Sequence, residues 1–181
     1  MNEIKIVSQN INGLNNCIKR KRVLQTLKRE GDIILLQETH LNKIEHEKLG
    51  KLASAQVFAS SYGTARRGVA IIIPKRIPFE LEKCVKDKEG RYVLVVGKVD
   101  GKAMSLLNIY NPPGQDSEFM RRMVSLLITE AKGLAIMGGD LNMAMSTKDT
   151  QSKGKHKSIF EVTKFTAGNL RTKRRTYKTS D

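Results

Sequence analysis

The segment DIILLQ, residues 32–37, is apolar at every position between its polar ends. A strand that meets water on one face alternates apolar and polar residues; an unbroken apolar run marks a strand covered on both faces. GVAIII (68–73), stopped by Pro74, reads as another strong strand, and LAIMGG (134–139) as the last convincing one. The fold must therefore be layered.

The other segments supply the layers. EIKIVSQ places Ile4 and Ile6 on one strand face, and QVFAS reads as a further strand. FELEKCVKD and RYVLVVGKVD flank KEG, and DGK leads into AMSLLNIYN, which reads as a hairpin meander. CIKRKRVLQTLKRE is expected to be a helix with Ile18, Leu24 and Leu27 as its stripe, ended by Gly31. Residues 42–52 read as a second, charged helix. From Ser117 onward, Phe119, Met120, Met123, Val124, Leu127 and Ile128 recur at helical spacing. A polar loop is expected over 143–157, a short helix over 158–167, and basic coil beyond. Strands and hairpins punctuated by helices suggest an α/β protein with a β-sandwich core; the central hairpins argue against a parallel doubly wound sheet.

The 181 residues, 39% hydrophobic, suit one domain. No apolar run reaches the roughly 18 residues of a membrane helix, and MNEIKIVSQN lacks a secretory signal's apolar region. Cys17 and Cys84 lack metal-ligand spacing and are expected to be free buried thiols of an intracellular protein. The net charge of +15 favours nucleic acid as partner, because cations displace counterions from phosphates. Residues 153–181 carry nine Lys or Arg against two acids. Within them RTKRRTYK, with Lys173, Arg174 and Arg175, suits a nucleic-acid or nuclear-import patch as well as it suits a solvated tail.

Four strand ends release polar groups: Asn10, then Glu38, then Asn108, Tyr110 and Asn111, then Asp140 and Asn142. A sheet edge can gather them. Carboxylates with neutral oxygen donors, and no His or Cys cluster, suit a hard ion such as Mg²⁺ rather than zinc. Taken singly, each has a plainer reading: Asp140 and Asn142 a turn, Asn10 a turn former, Glu38 a surface acid, Tyr110 a half-buried sheet residue. His40, His46 and His156 are expected at the surface.

The motifs NINGL, LLQETHL, RRGVAIII, NIYNPPG and GGDLN occur in one order across residues 1 to about 152. In this the chain resembles the endonuclease/exonuclease/phosphatase superfamily, and within it the apurinic-type endonuclease domain of non-LTR (LINE-type) retrotransposons. The resemblance implies an α+β, four-layered αββα sandwich of the DNase I-like type, occupying residues 1–152, with 153–181 as a basic, poorly ordered tail. It implies a DNA phosphodiesterase, exonuclease III-like, that uses Mg²⁺ or Mn²⁺ and no small-molecule cofactor. Glu38 would bind the metal with support from Asn10, and Asp140 would orient or deprotonate the attacking water. Asn142 would hold phosphate or water, and Tyr110 would contact the scissile phosphate. Arg66, Arg67 and Asn111 would lie against DNA, although a solvated loop explains the two arginines equally well.

The family's sandwich continues beyond GGDLN with further strands and a terminal Ser-Asp-His segment. Here 39 residues follow Asn142, ending YKTSD without a His. The sequence therefore leads to the expectation of an incomplete second half and impaired hydrolysis. The alternatives are a catalytically silent nucleic-acid-binding fragment and a retroelement remnant.

Overall fold

The computed structural model describes residues 4–63, 66–113 and 117–142, and the strand backbone of 157–166 and 169–177. The first sheet has the order β1-β2-β4-β3 and is built from β1 (Ile6–Asn10), β2 (Ile33–Gln37), β3 (Ala55–Ser60) and β4 (Val69–Pro74). The second, β5-β6-β7-β8, uses β5 (Phe79–Lys86), β6 (Tyr92–Val99), β7 (Lys102–Tyr110) and β8 (Leu134–Asp140). Helices α1 (Cys17–Glu30) and α2 (Lys43–Ala53) belong to the first half of the chain, and α3 (Ser117–Glu130) connects β7 to β8.

The apolar runs divide by parity. Ile33, Leu35, Ile71 and Ile73 face Val93, Val95, Leu106 and Ile136 between the sheets. Their neighbours Ile34, Leu36, Ala70 and Ile72 turn outward onto Leu24, Leu27 and Leu49 of the helices. On the far side Leu94, Val96, Leu107 and Ile109 meet Phe119 and Met123 of α3. Alternate side chains of a strand point to opposite faces, so a run without polar breaks fills two cores at once. The result is the expected αββα layering.

Three local expectations change. Ile18 is 65% exposed, and the inward stripe of α1 is Arg20, Leu24 and Leu27. Its buried Arg20 donates through Nε to the Leu14 carbonyl and through its guanidinium to Glu45, at 2.9 and 2.7 Å. Cys17 is exposed, while Cys84 is half-buried, which pushes its thiol up. Residues Lys157–Thr166 are strand β9 rather than a helix, and Asn169–Tyr177 are strand β10 rather than coil; the two pair antiparallel. Ile159, Val162, Thr163 and Thr166 supply the β-branched side chains that favour an extended chain over a helix.

Candidate active site

Parallel pairing brings the four polar strand ends together. Asn10 is the register partner of Gln37 at the end of β1 and β2, and Tyr110 that of Asp140 at the end of β7 and β8. Across the seam between the sheets, one amide nitrogen joins them. Asn10 Nδ2 donates to Glu38 Oε1 at 2.8 Å and to Asp140 Oδ2 at 2.7 Å. The Asn12 N–H, donating to Asn10 Oδ1 at 3.1 Å, fixes which way that amide faces. The Tyr110 hydroxyl bonds to Glu38; burial first, and then that bond, push its pKa well above the usual tyrosine range, so it stays protonated and a donor.

Beneath the site lies a buried polar network. Gln37 Nε2 donates to Asn108 Oδ1 at 2.7 Å and to Ser8 Oγ at 3.0 Å, while Asn108 Nδ2 donates to the Leu36 and Ala70 carbonyls. Asn108 thus ties the second sheet to the backbone of the first, directly below Glu38. Gln37 and Ser8 were not legible as supports: Gln37 reads as the polar end of β2, and Ser8 as the first of three polar residues in β1.

Backbone strain gathers here as well. Asn12, Glu38, His40, Arg67 and Asn142 all have positive φ, between 43° and 56°. Asparagine tolerates this region, whereas Glu, His and Arg incur roughly 1–2 kcal/mol each. Four bonds hold the strained segment from both sides: Gly13 N–H to Glu38 O, Leu14 N–H to Thr39 O, Thr39 N–H to Gly68 O, and His40 N–H to Arg67 O, at 2.7 to 3.0 Å. At the other strand end, Gly139 has φ +142°, and a Cβ there would stand 1.9 Å from the Ile109 carbonyl oxygen. The close approach of β8 to β7 requires that glycine.

The donor set is rich in oxygen. Two carboxylates share one amide, and among the described residues no group of three or more His, Cys, Asp or Glu gathers at metal-binding spacing. A hard divalent cation that takes one or two carboxylates and completes its shell with water and phosphate fits these residues; zinc does not.

Over residues 7–180 the sequence matches the Endonuclease/Exonuclease/phosphatase family. The chain belongs to that family. Solved structures with the same fold include TDP2 from C. elegans, with a TM-score of 0.59 and 22% identity, covering 86% of this chain and 52% of that one. An AP endonuclease from Archaeoglobus fulgidus gives 0.60 and 24%, covering 80% and 60%. The endonuclease domain of TRAS1, a telomere-specific non-LTR retrotransposon, gives 0.56 and 15%, covering 78% and 62%. The chain spans about half to three fifths of the length of these structures. At these identities they establish the fold, which nucleases and phosphodiesterases share.

In this member of the Endonuclease/Exonuclease/phosphatase family, the side chains of Asn10, Glu38, Tyr110 and Asp140 meet at one edge of the two sheets. Asn142 sits beside them: its N–H donates to Asp140 Oδ1 at 3.3 Å and its Nδ2 to the Asn111 carbonyl at 2.7 Å. Asn111, expected against DNA, is instead 1% exposed, with Nδ2 donating to the Leu141 carbonyl. Its N–H also bonds to the Asp140 carbonyl, so it fastens the corner from behind.

Two histidines differ from expectation. His40 is half-buried, with Nε2 3.4 Å from Glu38 Oε2. His46 is 3% exposed between Thr39 Oγ1 and Ser61 Oγ, at 2.9 and 2.8 Å. Burial, reinforced by the Arg20 charge, lowers its pKa to about 4, so at neutral pH it is an uncharged prop behind the Glu38 turn. His156 lies outside the described residues.

Arg66 and Arg67 both lie over the Tyr62 ring, 5.0 and 4.8 Å from its centroid. Arg67 is also paired with Glu89 at 3.0 Å, and its charge is felt at Tyr110. Arg66 remains exposed. Lys173, Arg174 and Arg175 lie on β10, opposite Glu161, Phe160 and Ile159.

Proposed function

We propose that this chain is a metal-dependent DNA phosphodiesterase unit of the non-LTR retrotransposon type, with Mg²⁺ as its ion and Mn²⁺ as a substitute. The observation that carries the reading is the Asn10 amide held between Glu38 and Asp140 across the two sheets. Glu38, supported by Asn10, would hold the ion, which when bound polarises a phosphoryl oxygen. Asp140, at the edge of that pair, orients and deprotonates the attacking water. Asn142 holds water or phosphate beside it, and the protonated Tyr110 donates to the scissile phosphate. The charge of +15 supports a nucleic-acid substrate over a small phosphate ester or lipid.

The reading includes slow turnover. It places turnover about a hundred- to a thousandfold below that of a site with one more preorganised charge-stabilising donor. The same charge of +15 also favours a second reading, a binding fragment without hydrolysis.

Nicking of supercoiled plasmid distinguishes the two. The phosphodiesterase reading expects slow nicking in Mg²⁺, none in EDTA, and loss in both Glu38→Ala and Asp140→Ala. Salt-sensitive binding untouched by either substitution, with no nicking, would sink it in favour of the binding fragment. Neither activity would leave a remnant.

A further inference from the structure

The basic residues of this molecule fall into two kinds. Near the site they are engaged: Arg67 with Glu89, and Arg91 with Asp87 and Glu89. In the first turns of α1, Lys19 Nζ donates to the Ile11 and Asn12 carbonyls, and Arg20 is buried against Leu14 and Glu45. Lys21, Arg22, Lys28 and Arg29 are exposed, and no ion pair joins them to an acid among the described residues. At about 3.6 residues per turn all four fall within roughly a third of the helix circumference: Arg22 and Arg29 lie opposite the buried Leu24 and Leu27, and Lys21 and Lys28 border that stripe about one turn on either side of Leu24.

The other helices are not like this. α2 sets Glu45 and Glu47 among its lysines, and α3 pairs Arg121 with Glu118 and ends on Glu130, which takes Lys83 of β5. α1 has no acid in its first turn, and its one acid, Glu30, is its last residue. Lys21 and Arg22 follow a turn that already carries Lys19 and Arg20, near the helix end whose dipole disfavours cations. Local helix stability does not account for them.

We propose that the outward face of α1 is a second nucleic-acid surface, a track for the sugar-phosphate backbone that leads away from the cleft. Lys19 stands beside the loop that follows Asn10, and Arg29 lies about 15 Å further along the helix axis at a rise of about 1.5 Å per residue. From Lys21 to Arg29 the row is about 12 Å long, and a strand with a charge every roughly 3.4 Å presents three to four phosphates over that length. Four unpaired cations match them without reading sequence, because phosphate contacts carry no base information. The surface holds whether or not the site is hydrolytic.

The test compares three full-length proteins: wild type, Lys21→Gln/Arg22→Gln/Lys28→Gln/Arg29→Gln, and a control with equal charge loss elsewhere, Lys43→Gln/Lys51→Gln/Lys75→Gln/Lys102→Gln. Binding of labelled single-stranded and duplex 30-mers is followed by fluorescence anisotropy over a range of KCl. Circular dichroism melts confirm that all three fold. For the α1 variant the slope of log K against log[salt] should become shallower by about three on duplex and somewhat less on single strands, from about 0.9 and 0.7 per phosphate. The control should keep most of the wild-type slope. Equal flattening in the control would reduce the effect to net charge and overturn the track. So would an unchanged slope in the α1 variant. Plasmid nicking, read separately, reports on the cleft alone.

Discussion

The two carboxylates of the site are held in opposite ways. Glu38 sits in a turn with positive φ at residues 38 and 40, and bonds from Gly13, Leu14, Thr39 and His40 hold it from both sides. Asp140 ends a strand whose approach is set by one glycine and whose corner is fastened mainly by Asn111. Strain over-determined by surroundings persists where function needs a fixed geometry. The first corner is forced into place by many contacts, whereas the second is permitted by the absence of a side chain. Redundancy protects one; the other has a few points of failure.

The largest expected effect breaks the second corner. Gly139→Ala sets a Cβ against backbone, 1.9 Å from the Ile109 oxygen, where nothing flexible yields. It should cost about 3–5 kcal/mol of stability, read in a urea or thermal melt. Gly138→Ala, which meets only the tip of Leu35 at 2.8 Å, should cost about a third of that. Equal losses would mean that β8 adjusts freely.

Next comes the strained corner itself. Glu38→Gly removes both the carboxylate and the Cβ penalty at φ +51°. Nicking should fall by about a hundred- to a thousandfold, as for a lost electrostatic group. Its melt should lie up to about 1 kcal/mol above that of Glu38→Ala, which loses the same bonds to Asn10 and Tyr110 but keeps the strained Cβ, less the gain in unfolded-chain entropy. A Glu38→Gly melt below that of Glu38→Ala would show that the turn carries no strain.

The prop behind Glu38 is read by pH. The folded state holds the His46 pKa at about 4, below the ordinary histidine value of 6.5, so the unfolded chain binds the extra proton first. Stability from the neutral ring is complete above about pH 6.5, declines as pH falls toward 4, and levels off below that. The loss should be on the order of 3 kcal/mol. His46→Gln should flatten the profile in this window. A slope that survives the substitution assigns it to other groups.

Asn111→Ala removes one buried bond and leaves the Leu141 carbonyl without its donor. The nicking rate should fall about tenfold with little change in DNA affinity, because such a bond contributes on the order of 1 kcal/mol. A large affinity loss instead would return Asn111 to the DNA-contacting role. Smallest is Arg66→Ala: the side chain is exposed over Tyr62, so stability should stay within about 0.5 kcal/mol, with a few-fold weaker DNA binding.

The layers were legible because DIILLQ and GVAIII have no polar break, which only a doubly covered strand tolerates. The convergence of Asn10, Glu38, Tyr110 and Asp140 was legible from strand ends and motif order. His46 was not: it stands on a polar helix, and its burial comes from α2 closing over Ser61, a contact 15 residues away in the chain. Asn111 was placed against DNA by the resemblance, whereas its amide and N–H are turned inward onto the Leu141 and Asp140 carbonyls, contacts about 30 residues away in the chain. Over 158–167 the expected short helix gives way to a strand, because Ile159, Val162, Thr163 and Thr166 favour an extended chain.

One consequence of the Asn10 bridge lies in chain order. Every strand before Ile77 belongs to one sheet and β5 to β8, which follow it, to the other. The site therefore forms at the meeting of two consecutive lengths of polypeptide, each with mostly local strand pairing. Its geometry depends on how those lengths dock, and Asn10 closes only when they do. A change of a few tenths of an ångström in the spacing of the sheets, made deep in the interior at Leu35 or Ile136, would open the two carboxylates without touching either.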